Sequence, residues 1–189
     1  MEKIFQEKEM IFEETYIKGL IIIKPTVFED NRGFFFESYN KTNYSKLGLD
    51  AEFVQDNLSK SQRGVVRGLH FQSPPTAQGK LVQVIKGSVL DVAVDIRKDS
   101  NTYGKYFSII LSEQNKTQFY IPEGFAHGFA TLEDDTIFSY KCTDVYNKDS
   151  EGSIIWNDKD LNIDWKIKDP IISDKDKIAT SFQNLKSPF

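Results

Sequence analysis

Residues 88–97 alternate without a break: Leu90, Val92, Val94 and Ile96 fall on one face of an extended chain, and Asp91, Ala93, Asp95 and Arg97 on the other. A period of two is incompatible with a helix, whose apolar positions recur every three or four residues. The stretch is therefore a strand, and its division predicts a sheet with one buried side. Phe107, Ile109 and Leu111 repeat the period, as do Phe138, Tyr140 and Cys142 after the turn Glu133-Asp134-Asp135. Gly19 to Lys24 and Phe34 to Tyr39 are further strand-like runs, separated by the turn Glu29 to Gly33. Turn signals at Ser73-Pro74-Pro75, Lys86-Gly87, Asp99 to Gly104, Glu113 to Lys116 and Asn147 to Gly152 divide the rest. Short strands in this number, without helical stretches between them, imply an all-β jelly-roll barrel or sandwich. Only short helices are expected, at Asn43 to Leu49 and, as a closing element, Asp174 to Leu185. Residues 1–15 are charged and aperiodic and read as an N-terminal arm; residues 16–189 read as a single domain.

Charge and composition exclude several function classes. A net charge of -4 without a Lys/Arg stripe argues against a nucleic-acid surface. No apolar run approaches the roughly 20 residues that span a bilayer, and the N-terminus lacks a signal-peptide apolar segment. The single cysteine, Cys142, excludes an internal disulfide and a cysteine-based zinc cluster. A cytoplasmic protein with no membrane or nucleic-acid partner is expected.

Chemistry gathers around the two histidines. His70 sits in Val66-Arg67-Gly68-Leu69-His70-Phe71-Gln72, and His127 in Ile121-Pro122-Glu123-Gly124-Phe125-Ala126-His127-Gly128-Phe129. The spacing Pro-x-Gly-x-x-His resembles the second motif of the cupin superfamily, whose histidine points into a jelly-roll barrel. Where a metal-binding cupin carries His-x-His and a glutamate, this chain has His70-Phe71-Gln72 and then Lys80. An ammonium repels a divalent cation and offers it no lone pair, so no metal and no cofactor are expected. A histidine, a lysine and a phenol together suit proton removal beside a carbonyl, with a cation steadying the enolate. Read singly, Lys80 is a solvated strand end, Tyr140 a barrel residue and Phe34-Phe35-Phe36 a core or edge run. Arg67 and His70, three apart, should face oppositely in a regular strand unless Gly68 marks a bulge.

The ordered motifs Arg32-Gly33-Phe34-Phe35-Phe36-Glu37, Phe53-Val54-Gln55-Asp56-Asn57, Val66 to Gln72, Gln78-Gly79-Lys80-Leu81-Val82, Ile121 to Phe129, Tyr140-Lys141-Cys142-Thr143 and Glu151 to Asp158 resemble those of the dTDP-4-dehydrorhamnose 3,5-epimerase family. The resemblance runs from about Ile21 to about Asp176. It implies a metal-free cupin homodimer that epimerises carbons 3 and 5 of a dTDP-linked 4-keto-6-deoxyhexose, in dTDP-L-rhamnose synthesis. By residue matching it implies His70 as the base, Asp176 as its orienting carboxylate with Asp174 the alternative, Lys80 as the enolate stabiliser and Tyr140 as the acid. Arg67, His127, Gln55, Asn57 and Tyr146 match substrate-binding positions, and Arg32, Phe35 and Glu37 match residues that a strand of the partner subunit contributes. A single-site epimerase of a related nucleotide sugar, a metal-dependent cupin enzyme and a non-catalytic cupin that binds a nucleotide sugar are the competing readings.

Overall fold

The computed structural model describes residues 9–189, and the strands it contains are short, as the turn spacing requires. In chain order they are β1 (Ile11–Glu14), β2 (Ile21–Lys24), β3 (Val27–Asp30), β4 (Gly33–Phe36), β5 (Gln55–Ser61), β6 (Val65–Gln72), β7 (Lys80–Lys86), β8 (Ser88–Asp95), β9 (Tyr106–Ser112), β10 (Gln118–Ile121), β11 (Phe125–Thr131), β12 (Thr136–Cys142), β13 (Glu151–Ser153) and β14 (Ile171–Ile172). Two short α-helices, α1 (Lys41–Lys46) and α2 (Asp174–Lys177), and two 3-10 turns complete the elements of the described residues. Residues 1–8 of the expected arm lie outside the described residues; Ile11–Glu14 runs antiparallel to β2. Among the described residues no helix is long and apolar enough to cross a membrane.

The strands form an all-β jelly-roll barrel from two sheets, ordered β1-β2-β10-β7-β12-β5 and β13-β6-β11-β8-β9, with β14 added parallel to β6. The β3–β4 hairpin is a separate two-stranded sheet. Between the sheets lies a core of Val82, Val84, Val89, Ala93, Leu111, Phe119, Phe129 and Phe138. Outside the second sheet, Val66, Leu69, Leu90, Val92 and Val94 pack under Ile154, Leu161 and Trp165. This corrects the expectation of a sheet with one buried side. Every residue of β8 is buried, because the C-terminal segment covers its outer face while Asp91, Ala93 and Asp95 face other parts of the protein interior.

The closing helix is also shorter than Asp174 to Leu185. Ser173 caps α2 by accepting from the Asp176 N–H, but Ile178 leaves the helical region with φ -111°. Thr180 then bridges Ile154, accepting from the Ile155 N–H, so the residues needed for further helical turns are committed to the barrel wall.

Between β6 and β11 the register slips at a pair of glycines. His127 stands opposite His70 and Phe129 opposite Arg67, so two residues of β6 face Gly128 alone. Gly68 has φ +131°, and a Cβ there would meet the Gly128 Cα at 2.5 Å. The bulge lets the backbones approach and turns Arg67 and His70 toward one cavity despite their odd spacing.

Candidate active site

The second sheet supplies the histidines and the first supplies the residues across from them. His70 is on β6, and its Nε2 donates to Asp176 Oδ1 at 2.6 Å. Asp176 is 3% exposed and is delivered by α2, where Ser173 holds its backbone N–H. Burial alone would raise its carboxyl. The His70 hydrogen bond and charge, with Ser173 and the Gly68 backbone, outweigh that and hold it below the usual carboxylate value. Asp174, by contrast, is exposed and pairs with Lys177. Among the described residues His70 Nδ1 has no hydrogen-bond partner, which leaves it as the nitrogen free to take a proton.

Lys80 begins β7 and Tyr140 lies on the neighbouring β12. Burial pushes the Lys80 ammonium below the ordinary lysine value, opposed by Cys142, Asp91 and Glu151. Burial pushes the Tyr140 phenol up, Cys142 adding to the effect and Arg67 opposing it. A desolvated lysine and a protonated phenol therefore stand opposite an imidazole–carboxylate pair. Phe138 supports this arrangement, stacking on Phe129 at 4.2 Å and on His127 at 6.3 Å, and meeting Tyr140 at 5.9 Å.

Two cavities, of about 560 and 400 Å³, meet at this set: His70, Lys80 and Tyr140 line both. Arg67, His127 and Asp176 line the larger, and Gln55, Asn57 and Tyr146 the smaller. Arg67 is steadied by its Nε donating to Ser61 Oγ at 3.2 Å. Gln55 donates to Asn57 at 3.0 Å and accepts from the Tyr146 backbone N–H at 2.8 Å. Tyr146 lies past the end of β12, so a loop rather than strand alternation brings it to the smaller cavity.

Arg32, Phe35 and Glu37 are not brought to these cavities by their own chain. Arg32 and Phe35 line a groove on the β3–β4 hairpin, where Arg32 pairs with Asp30 and Phe35 is 69% exposed. Glu37 accepts from Asn40 and Asn43 near α1.

Reading the sequence missed three polar residues at the site. Asp91, fully buried on β8, takes His127 Nε2 on both oxygens at 3.0 and 2.9 Å. Its signal was present in the alternation of residues 88–97, where the face assigned to solvent is interior. Glu151 and Lys175 form an ion pair beside His70; neither carried a signal beyond its motif.

The chain is similar to known proteins along most of its length. The model of the family described as dTDP-4-dehydrorhamnose 3,5-epimerase matches residues 14–184. The dTDP-4-dehydrorhamnose 3,5-epimerase of Shigella flexneri is 52% identical over 164 residues, covering 86% of this chain and 91% of that one. The crystal structure of the enzyme of the same name from Elizabethkingia anophelis superposes with TM-score 0.90 at 53% identity, covering 95% of this chain and 99% of that one. A Legionella pneumophila dTDP-6-deoxy-D-glucose-3,5-epimerase, solved with dTDP-4-keto-L-rhamnose, gives TM-score 0.90 at 49% identity over 94% of this chain and 95% of that one.

Proposed function

The chain belongs to the dTDP-4-dehydrorhamnose 3,5-epimerase family, and from that premise we propose that it inverts carbons 3 and 5 of dTDP-4-dehydro-6-deoxy-D-glucose, giving dTDP-4-dehydro-L-rhamnose. The observation that carries this reading is the meeting of His70, Lys80 and Tyr140 where the two cavities join.

Each carbon is adjacent to the 4-keto group, so one chemistry serves both. His70 Nδ1 takes the proton from the carbon, and the C–H electrons move into the new C=C bond while the carbonyl oxygen becomes an enolate. Lys80 stabilises that oxygen, and its desolvation makes the interaction stronger than it would be in water. Tyr140 returns a proton to carbon from the opposite face, inverting the centre. Asp176 holds the imidazole in one tautomer and favours the imidazolium that forms. No electrons leave the sugar, so the reaction calls for no electron carrier.

Arg67 and His127 hold the substrate in the larger cavity, and Gln55, Asn57 and Tyr146 in the smaller one. A second copy of the chain completes the site with Arg32, Phe35 and Glu37. Support comes from the hairpin that carries the first two, which among the described residues pairs with no other strand and exposes Phe28, Phe34 and Phe35.

Incubation with dTDP-4-dehydro-6-deoxy-D-glucose in deuterated water tests the reading by NMR. Deuterium at carbons 3 and 5 is expected. Exchange at neither overturns the proposal; exchange at one alone replaces it with a single-site epimerase.

A further inference from the structure

Gln72 closes the strand that carries the base, and proton transfer gives it no task. Its side chain is nonetheless buried, with the residue only 4% exposed. Nε2 donates to the Val145 carbonyl at 3.0 Å and to the Thr76 carbonyl, while Oε1 accepts from the Asn147 N–H at 2.9 Å. Both donors of the amide are used, and the loop is held on each side of Tyr146.

Residues 143–147 follow β12, and other contacts hold this loop as well. The Thr143 N–H donates to the Gly79 carbonyl at 3.0 Å, and the Thr143 hydroxyl accepts from the Gly79 N–H at 2.8 Å. Gln78 donates to the Asp144 carbonyl at 2.7 Å, and the Asp144 carboxylate takes the Val145 N–H at 2.7 Å. Beyond Tyr146, the Asn147 side chain accepts from the Asp149 N–H at 2.9 Å and its carbonyl from the Ser150 N–H at 3.3 Å. At Tyr146 itself, Gln55 takes the backbone N–H at 2.8 Å and Glu151 the hydroxyl at 3.1 Å. Gln55 lies on β5 in the first sheet and Gln72 on β6 in the second, so two amides hold this point of the loop from different sheets.

Resting on the epimerase reading, we propose that Gln72 is a positioning residue for substrate binding: its amide fixes the backbone around Tyr146, and so presents the Tyr146 ring to the nucleoside diphosphate of the substrate.

The contrast between the amide and the ring supports this division of labour. Tyr146 is 55% exposed and lines the smaller cavity, where an aromatic face suits a nucleotide base. Gln72 is buried beneath it, so its hydrogen bonds compete less with water. A backbone fixed in advance spares binding the cost of ordering the loop. His70 stands two residues earlier on β6, so the same amide ties the ring to the strand of the base.

The test uses the full-length protein with Gln72→Met, Tyr146→Ala and the double variant, each titrated with dTDP by calorimetry. Methionine keeps the length of the side chain and removes the amide. Gln72→Met should weaken dTDP binding about tenfold, the effect of two lost buried hydrogen bonds, and raise KM more than it lowers kcat. In the Tyr146→Ala background the same change should cost less than about twofold. An unaltered affinity in Gln72→Met would overturn the proposal. So would losses that multiply in the double variant, because Gln72 would then act otherwise than through Tyr146. If Gln72→Met does not fold, amide exchange in the nucleotide-free wild type decides: a protected Asn147 N–H supports the clamp, and exchange at the rate of an open loop overturns it. A wild-type protein that binds dTDP but takes up no deuterium from solvent would strike the epimerase reading and leave this cycle standing.

Discussion

Two imidazole–carboxylate pairs stand side by side in the barrel, and they are built differently. His70 and His127 are cross-strand partners, and each directs Nε2 at an aspartate. Asp91 sits on β8, hydrogen-bonded along its length to the strand that carries His127. Asp176 comes from α2, 106 residues beyond its histidine. The His127 pair is 9% and 0% exposed at its side chains; His70 is 33% exposed. A carboxylate set in a neighbouring strand cannot move unless the sheet opens, whereas one on a short terminal helix is held by local contacts. A base that must take up a proton, release it to water and admit a substrate suits the second construction. A fixed hydrogen-bonding group suits the first. Proximity of histidine to aspartate therefore does not identify the base; the access of the imidazole does.

The largest expected difference is kinetic. His70→Ala should reduce deuterium wash-in by about 10²–10⁴-fold. His127→Ala should act mainly on KM. A greater loss of kcat in His127→Ala than in His70→Ala would reverse the roles. Stability should divide the pairs the other way. Asp91→Ala leaves His127 buried without its partner, at a cost of about 1–3 kcal/mol in urea denaturation. In Asp176→Ala the half-open His70 can turn to water, so the loss is smaller. Equal losses would remove the contrast between a wall-built pair and a locally held one.

That contrast also explains what could be read from the chain. The barrel was legible because period-two alternation and turn residues are local signals, and β8, β9 and β12 lie where the alternation falls. His70, Lys80 and Tyr140 stood out through their motifs. Asp91 did not, because alternation separates two faces without saying what covers the second, and here the opposite sheet covers it, packing Val82, Val84 and Phe138 against Val89 and Ala93. For the same reason Asp174 and Asp176 were equivalent in sequence. Only the Ser173 cap, which sets the phase of α2, puts Asp176 inward and Asp174 in water. The length of α2 was misjudged because the bridge between Thr180 and Ile154 is long-range.

Lys80 faces both pairs and separates activity from stability. Its pKa is lowered by burial, so between the folded and ordinary values the unfolded chain binds more protons. Stability then rises with pH across that window, and at neutral pH the buried ammonium destabilises the fold. Lys80→Met should abolish most wash-in while leaving the protein as stable or more stable, by about 1 kcal/mol. The alkaline limb of wild-type kcat/KM should fall at a lower pH than an ordinary lysine would give. A clearly destabilised Lys80→Met would mean that the ammonium is a structural partner of Asp91 rather than a charge kept for the enolate.

The smallest expected effect is in acid, and it tests whether the locally held pair is ionic. A carboxyl whose folded pKa is depressed contributes stability above its ordinary value of about 3.9, and that contribution is lost as pH falls through the folded value. Asp176 is of this kind. So is Asp95, which burial alone would raise but which Arg97, Ser100 and Thr102 bring down to about 2. Wild-type stability should therefore decline between about pH 4 and 2 from both groups. Asp176→Asn should flatten that decline slightly, and Asp95→Asn more, when unfolding is followed by urea at each pH. If the Asp176→Asn curve runs parallel to wild type, His70 does not hold the Asp176 carboxylate ionised. The contact would then be a neutral hydrogen bond, and its difference from the Asp91 pair would reduce to burial alone.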